Sequence, residues 1–150
     1  MRVFLDANVL FSAAYNDRSE LLIFFELASA GIVQLGASAF PIEEARRNIA
    51  LKRPDRMAAY ERLAAKLALA PAPSNEHLAI AQAAGLPPKE APILAAALAA
   101  EAGLLVTGDR THFGHLFGRS IGHLLVQRPK DALSAIVLDA KRTRAPRDDS

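Results

Sequence analysis

Residues 2–10 read Arg2-Val3-Phe4-Leu5-Asp6-Ala7-Asn8-Val9-Leu10. Three apolar residues run straight into an acid, and a second apolar segment follows. A short apolar run with a polar stop is how a strand buried on both faces reads. The charge that ends it belongs at the rim of the sheet, where water or a ligand can meet it. The pattern returns late in the chain, in Leu104-Leu105-Val106-Thr107-Gly108-Asp109.

Between and around these runs, strand-like and helical patterns alternate. Further strands are expected over 32–35, 66–70 and 121–126. Helices are expected over 8–14, from Ser19 as N-cap to 30, from Ser38 as N-cap to 51, over 55–65, from Ser74 as N-cap to the stop at Gly85, over 89–102, and up to 140. Such alternation predicts an α/β chain. The expected form is a three-layer α/β/α sandwich around a mostly parallel, about five-stranded sheet with right-handed crossovers.

Strand C-termini and helix N-termini gather at one edge of such a sheet, and ligands bind there. Two more acids fall at expected helix starts. One is Glu43 or Glu44 in Pro41-Ile42-Glu43-Glu44-Ala45-Arg46-Arg47. The other is Glu90 in Pro87-Pro88-Lys89-Glu90-Ala91-Pro92-Ile93-Leu94. Each acid alone has a plain explanation, as a cap or turn residue or as a complement to a helix dipole. Four at one edge would repel one another unless a cation sat between them. An all-oxygen donor set points to Mg²⁺ or Mn²⁺, and a carboxylate-held ion points to phosphoryl chemistry. Asn8, Ser12 and Thr107 can complete the coordination or hold its waters. His112, three residues beyond Asp109, can contact a phosphate or assist proton transfer; packing on Phe113 is its plainer role. His77, His115 and His123 have no metal-ligand spacing.

The chain has 150 residues, enough for one domain with a real core, and 51% of them are hydrophobic. It has no cysteine, which excludes disulfide frameworks and zinc-thiolate sites and suits the cytoplasm. Met1-Arg2 leads directly into the first strand, with no secretory signal pattern. The longest apolar stretch, residues 91–100, is too short to span a membrane. Net charge is +2 and the pI about 9.2. Arg46, Arg47, Lys52, Arg53 and Arg56 form one basic cluster, and Lys141, Arg142, Arg144 and Arg147 another. Such clusters can follow a phosphate backbone, although charge runs also serve as solvated helix faces. Residues 1–140 are expected to form the domain and 141–150 a basic, disordered tail.

The four acidic segments resemble the motifs of PIN-domain nucleases. Val3-Phe4-Leu5-Asp6-Ala7-Asn8-Val9-Leu10 resembles the first motif and Glu43-Glu44-Ala45-Arg46-Arg47 the glutamate helix. Glu90-Ala91-Pro92-Ile93-Leu94-Ala95-Ala96-Ala97 resembles the third motif and Val106-Thr107-Gly108-Asp109-Arg110 the fourth. Thr107-Gly108-Asp109-x-x-His112-Phe113-Gly114 is similar to a PilT N-terminus-like branch near the VapC-type toxins of bacterial toxin–antitoxin pairs. The resemblance covers residues 2–133. It implies Mg²⁺- or Mn²⁺-dependent cleavage of single-stranded or structured RNA, with Asp6, Glu44, Glu90 and Asp109 as the catalytic, metal-binding acids. Glu44 is preferred to Glu43 because Ala45-Arg46-Arg47 follows it as in the family. Arg46, Arg47 and Arg110 are the candidate nucleic-acid contacts. An antitoxin protein and a second copy of the chain are the expected partners; the helix face from Leu21 to Leu27 is one surface for them, and core packing explains that face equally well. Two positions depart from the family pattern. Glu90 stands where aspartate is usual, and Thr111-His112 where many relatives carry a further acid. These departures make an RNA-binding module with a degenerate site the alternative reading.

Overall fold

The computed structural model describes residues 1–144. The opening run forms strand β1 (Arg2–Leu5), and its side chains alternate as a two-sided strand requires. Val3 and Leu5 join one core, and Phe4 joins the other. The matching run forms β4 (Leu104–Val106), where Leu104 and Val106 face the first core and Leu105 the second. β1 and β4 are adjacent and parallel, with Leu5 opposite Val106. The two acids that follow therefore emerge side by side at one edge.

The remaining strands are β2 (Gln34–Ala37), β3 (Ala68–Leu69), β5 (Ser120–Ile121) and β6 (Leu124–Gln127). Their order is β3-β2-β1-β4-β6-β5, with every pair parallel except β5–β6. β2 starts two residues later than expected because its register is set against β1, Arg2 lying opposite Gln34. Phe4 faces Gly36 across that pair, and a Cβ on Gly36 would fall 2.7 Å from the Phe4 ring. The expected strand over 121–126 is instead a hairpin. Gly122 takes a left-handed conformation with φ of 62° and turns the chain back, which adds a sixth, antiparallel strand.

The helices are α1 (Ala7–Tyr15), α2 (Ile23–Ser29), α3 (Ala39–Lys52), α4 (Met57–Ala64), α5 (Asn75–Ala83), α6 (Ala91–Ala99), α7 (Arg110–Phe113) and α8 (Pro129–Arg144). Buried residues of α1, α2, α3, α4 and α8 pack on one sheet face, and those of α5, α6 and α7 on the other. The three-layer α/β/α sandwich is thus complete. Leu21, Leu22, Ile23 and Leu27 pack against the first core, so of the two readings of that face core packing is the one observed.

Three helix ends differ from expectation in ways that bear on function. α6 is shorter than 89–102. Glu90 is its N-cap, and Glu101, with φ of 56°, ends it as Ala102 N–H donates to the Ala97 carbonyl at 3.0 Å. α3 begins at Ala39, so its first turn carries no acid and Glu44 lies beyond the reach of the dipole argument. α8 continues through Arg144, so the first part of the expected tail is helical, while 145–150 lie outside the described residues. Among the described residues, no helix is long and apolar enough to cross a membrane.

Candidate active site

Asp6 leaves β1 and caps α1. Its Oδ1 accepts the Ala7 N–H at 2.7 Å. Its Oδ2 accepts the Thr107 hydroxyl at 2.8 Å and the Asn8 side-chain amide at 3.3 Å. Asn8 also donates to Thr107 Oγ1 at 3.3 Å, and its own carbonyl accepts the Gly108 N–H at 2.8 Å. The Thr107 hydroxyl in turn accepts the Asp109 N–H at 3.1 Å. Asn8 and Thr107 thus tie the ends of β1 and β4 together and fix where both acids point.

Asp109 caps α7, a single turn that the sequence reading missed. Its Oδ1 accepts the His112 backbone N–H at 3.1 Å, and its Oδ2 lies 2.8 Å from His112 Nδ1. Glu90 approaches from the other side, its Oε1 3.6 Å from the same nitrogen. Glu44 reaches in from the second turn of α3, with Lys89 Nζ 3.9 Å from its Oε1. Asp6, Glu44, Glu90 and Asp109 all line one cleft of about 660 Å³, with Asn8, Ser12 and His112. Glu43 turns away from it to pair with Arg46.

The surroundings act on the two strand-borne carboxyls in opposite directions. Burial pushes the Asp6 carboxyl up, and the Thr107 and Ala7 hydrogen bonds oppose that only in part; the charges of Glu44 and Asp109 push it further up. Asp6 is 4% exposed and Glu90 9%. At Asp109 burial also pushes upward, but His112, through its ring and its backbone N–H, outweighs burial and holds the carboxyl below its ordinary value. The hydrogen bond to Asp109 raises His112 in turn, and the Asp109 and Glu90 charges add to it.

These donors fit a small divalent cation. The carboxylates come from four separate segments, and Glu90 is almost fully buried yet accepts no hydrogen bond among the described residues. One donor atom each from Glu90, Asp109 and His112 fall within 4.8 Å of one another.

The expected nucleic-acid contacts are placed elsewhere. Arg46 bonds Glu43 and, at 2.6 Å, Glu61, and its guanidinium lies over the Tyr60 ring. Arg47 and Arg110 are exposed, and none of the three lines the cleft. Arg53 and Arg56 are also engaged, by Asp55 and Asp17. The cleft instead offers Lys52, whose ammonium lies 5.4 Å from the Phe11 ring centre, and Lys89, 5.9 Å from that of Phe40. Phe40, Glu44, Asn48 and Lys52 recur every four residues and form one stripe of α3 along the cleft. That spacing was readable in the sequence.

No family model matches the chain, and no curated protein matches it in sequence. Solved structures do match. VapBC2 from Rickettsia felis, bound to a DNA fragment from their promoter, aligns at a TM-score of 0.60 and 15% identity over 85% of this chain and 98% of its own. PAE2754 from Pyrobaculum aerophilum aligns at 0.57 and 18% identity over 92% of this chain and 99% of its own. FitAcB from Neisseria gonorrhoeae aligns at 0.51 and 20% identity over 85% of this chain and 98% of its own. At such identities the likeness is one of fold, and it agrees with the four motifs: the chain has the PIN-like α/β/α architecture.

Proposed function

We propose that the chain is a metal-dependent endoribonuclease. The observation that carries this reading is the meeting of Asp6, Glu44, Glu90 and Asp109 in one cleft at the C-terminal edge of the parallel strands. Each comes from a different segment, so no local rule of helix or turn explains their meeting. Asp6, Glu44, Glu90 and Asp109 would hold Mg²⁺ or Mn²⁺. Such an ion, when bound, supplies an activated water and a counter-charge for the oxygen that leaves phosphorus.

The chain's own groups do the remaining work. Thr107 and Asn8 orient Asp6 and keep the two strand ends in register. His112 orients Asp109. Lys89 and Lys52 would meet phosphate charge at the cleft rim, and the exposed ring of Phe40 can stack on an unpaired base, which favours single strands. Arg47 and Arg110 are exposed and can add phosphate contacts outside the cleft.

The likeness to VapBC2 and FitAcB and the toxin-like fourth motif support a further part of the reading. The chain would be the toxin of a toxin–antitoxin pair, restrained by an antitoxin and working as a homodimer in the cytoplasm.

Incubating the protein with single-stranded RNA and Mg²⁺ or Mn²⁺ tests the central activity. Cleavage that stops with chelator and is missing in Asp6→Asn is the expected result. RNA binding without cleavage at any metal concentration would favour the degenerate, RNA-binding reading instead.

A further inference from the structure

We propose that His112 is a nitrogen ligand of the cation in this cleft, and that the site therefore prefers a first-row transition ion such as Mn²⁺ to Mg²⁺. The inference rests on the reading of the cleft as a metal site.

His112 Nδ1 lies 2.8 Å from Asp109 Oδ2 and 3.6 Å from Glu90 Oε1. Adjacent donors around an octahedral ion with bonds of about 2.1 Å stand about 3 Å apart, and opposite donors about 4.2 Å. The two observed separations are those of adjacent donors, and the whole set stays within 4.8 Å. A cation can therefore take the place now bridged by the imidazole N–H, with small adjustment of the side chains.

Two further features point the same way. Glu90 is 9% exposed as a residue, its carboxylate accepts no hydrogen bond among the described residues, and His112 Nδ1 lies 3.6 Å from its Oε1. A carboxylate held in the cleft without a hydrogen-bond donor has its lone pairs available to a cation. The α7 turn also fixes the imidazole. The His112 N–H donates to Asp109 Oδ1, so the ligand pair is held by its own backbone three residues apart.

The choice of donor decides the ion. Mg²⁺ favours oxygen and water and keeps a strict octahedral shell. First-row transition ions, of which Mn²⁺ is the weakest binder and Zn²⁺ and Cu²⁺ among the stronger, gain more from an imidazole nitrogen than Mg²⁺ does. The carboxylates of the cleft with one imidazole suit Mn²⁺, which accepts both oxygen and nitrogen donors, whereas Mg²⁺ gains little from the nitrogen.

The test uses the full chain stripped of metal. Mn²⁺ binding is followed by electron paramagnetic resonance, with a pulsed measurement of ¹⁴N coupling, and Mg²⁺ binding by calorimetry. The parent should bind Mn²⁺ at least about 10-fold more tightly than Mg²⁺ and show ¹⁴N coupling. His112→Asn keeps a group that can bond Asp109. It should lose the coupling and about 10-fold in Mn²⁺ affinity, with Mg²⁺ affinity nearly unchanged. Circular dichroism checks that it folds; if it does not, coupling in the parent decides. Absence of ¹⁴N coupling in the parent, or equal loss of both ions in the variant, overturns the proposal. Coupling without RNA cleavage would leave it standing and sink the nuclease reading. Mn²⁺-dependent cleavage without coupling would do the reverse. If neither ion binds, both fail.

Discussion

The strand-borne acids and the helix-borne acids of the cleft are held in opposite ways. Asp6 and Asp109 follow parallel neighbours β1 and β4, and both accept backbone and side-chain hydrogen bonds. Among the described residues Glu44 and Glu90 accept none, and each has one ionic neighbour, Lys89 or His112. The first pair is fixed before any ligand arrives. The second pair has only longer ionic contacts, at 3.9 and 3.6 Å. The sheet edge thus sets the position of the site, while the helices supply adjustable charge.

Removing the most firmly held acid should have the largest effect. Asp6→Asn should reduce RNA cleavage by more than about 100-fold, beyond the 10–100-fold typical of losing an outer partner. The same variant should melt at a higher temperature than the parent without metal. The raised Asp6 pKa means that its ionised form destabilises the fold, and this penalty grows as pH rises above the ordinary 3.8. Cleavage rates and calorimetric melts at neutral pH check both parts.

Thr107→Val sharpens the comparison by loosening Asp6 without removing it. The hydroxyl is fully buried and joins Asp6, Asn8 and Asp109. Its loss should lower cleavage by about 10–100-fold and stability by roughly 1–3 kcal/mol. Activity equal to the parent's would mean that preorganisation of the strand-borne acid is unimportant.

For the helix-borne acids the expected effects are smaller. Glu90→Gln should weaken metal binding less than Asp6→Asn does. Glu90→Asp should preserve or improve cleavage, because its carboxylate can move on a shorter arm to the position usual in the family. Titrating Mn²⁺ against each variant measures this. If Glu90→Gln matches the parent, Glu90 is only a charge at the start of α6.

The smallest effect is a pH dependence of the metal-free protein. His112 is raised above its ordinary 6.5, so its contribution is complete below 6.5 and is lost as pH rises through the folded value. Asp109 is lowered below its ordinary 3.8, so its contribution is complete above 3.8 and is lost as pH falls through the folded value. The pair therefore stabilises most between pH 3.8 and 6.5. The melting-temperature difference between parent and His112→Asn should be largest in that window and shrink above it. A difference that is flat with pH would mean that the contact is not an ion pair.

The sequence made the strand-borne half of the site legible and the helix-borne half less so. Val3-Phe4-Leu5-Asp6 and Leu104 to Asp109 each carry their own stop signal, and parallel pairing then places the acids together. What a helix end will do depends on partners distant in sequence. Arg46 looked free for RNA because Glu61, fifteen residues on, gives no local sign that it will pair with it. The α7 turn has four residues, too few for any periodicity, so the hydrogen bonds that His112 donates to Asp109 could not be read. The hairpin at Gly122 was merged into one strand because the apolar run continues on both sides of the turn. The stripe Phe40, Glu44, Asn48 and Lys52 was available as a four-residue spacing, and it would have pointed to Lys52 before Arg46.

The central claim is that the strand-borne and helix-borne acids together hold one cation at the sheet edge. The most direct measurement is anomalous scattering from crystals soaked in Mn²⁺. The account predicts a peak in the cleft within coordination distance of Asp109 and Glu90, with Asp6 and Glu44 around it. Ordered carboxylates with no peak between them, at a Mn²⁺ concentration that supports RNA cleavage, would contradict it.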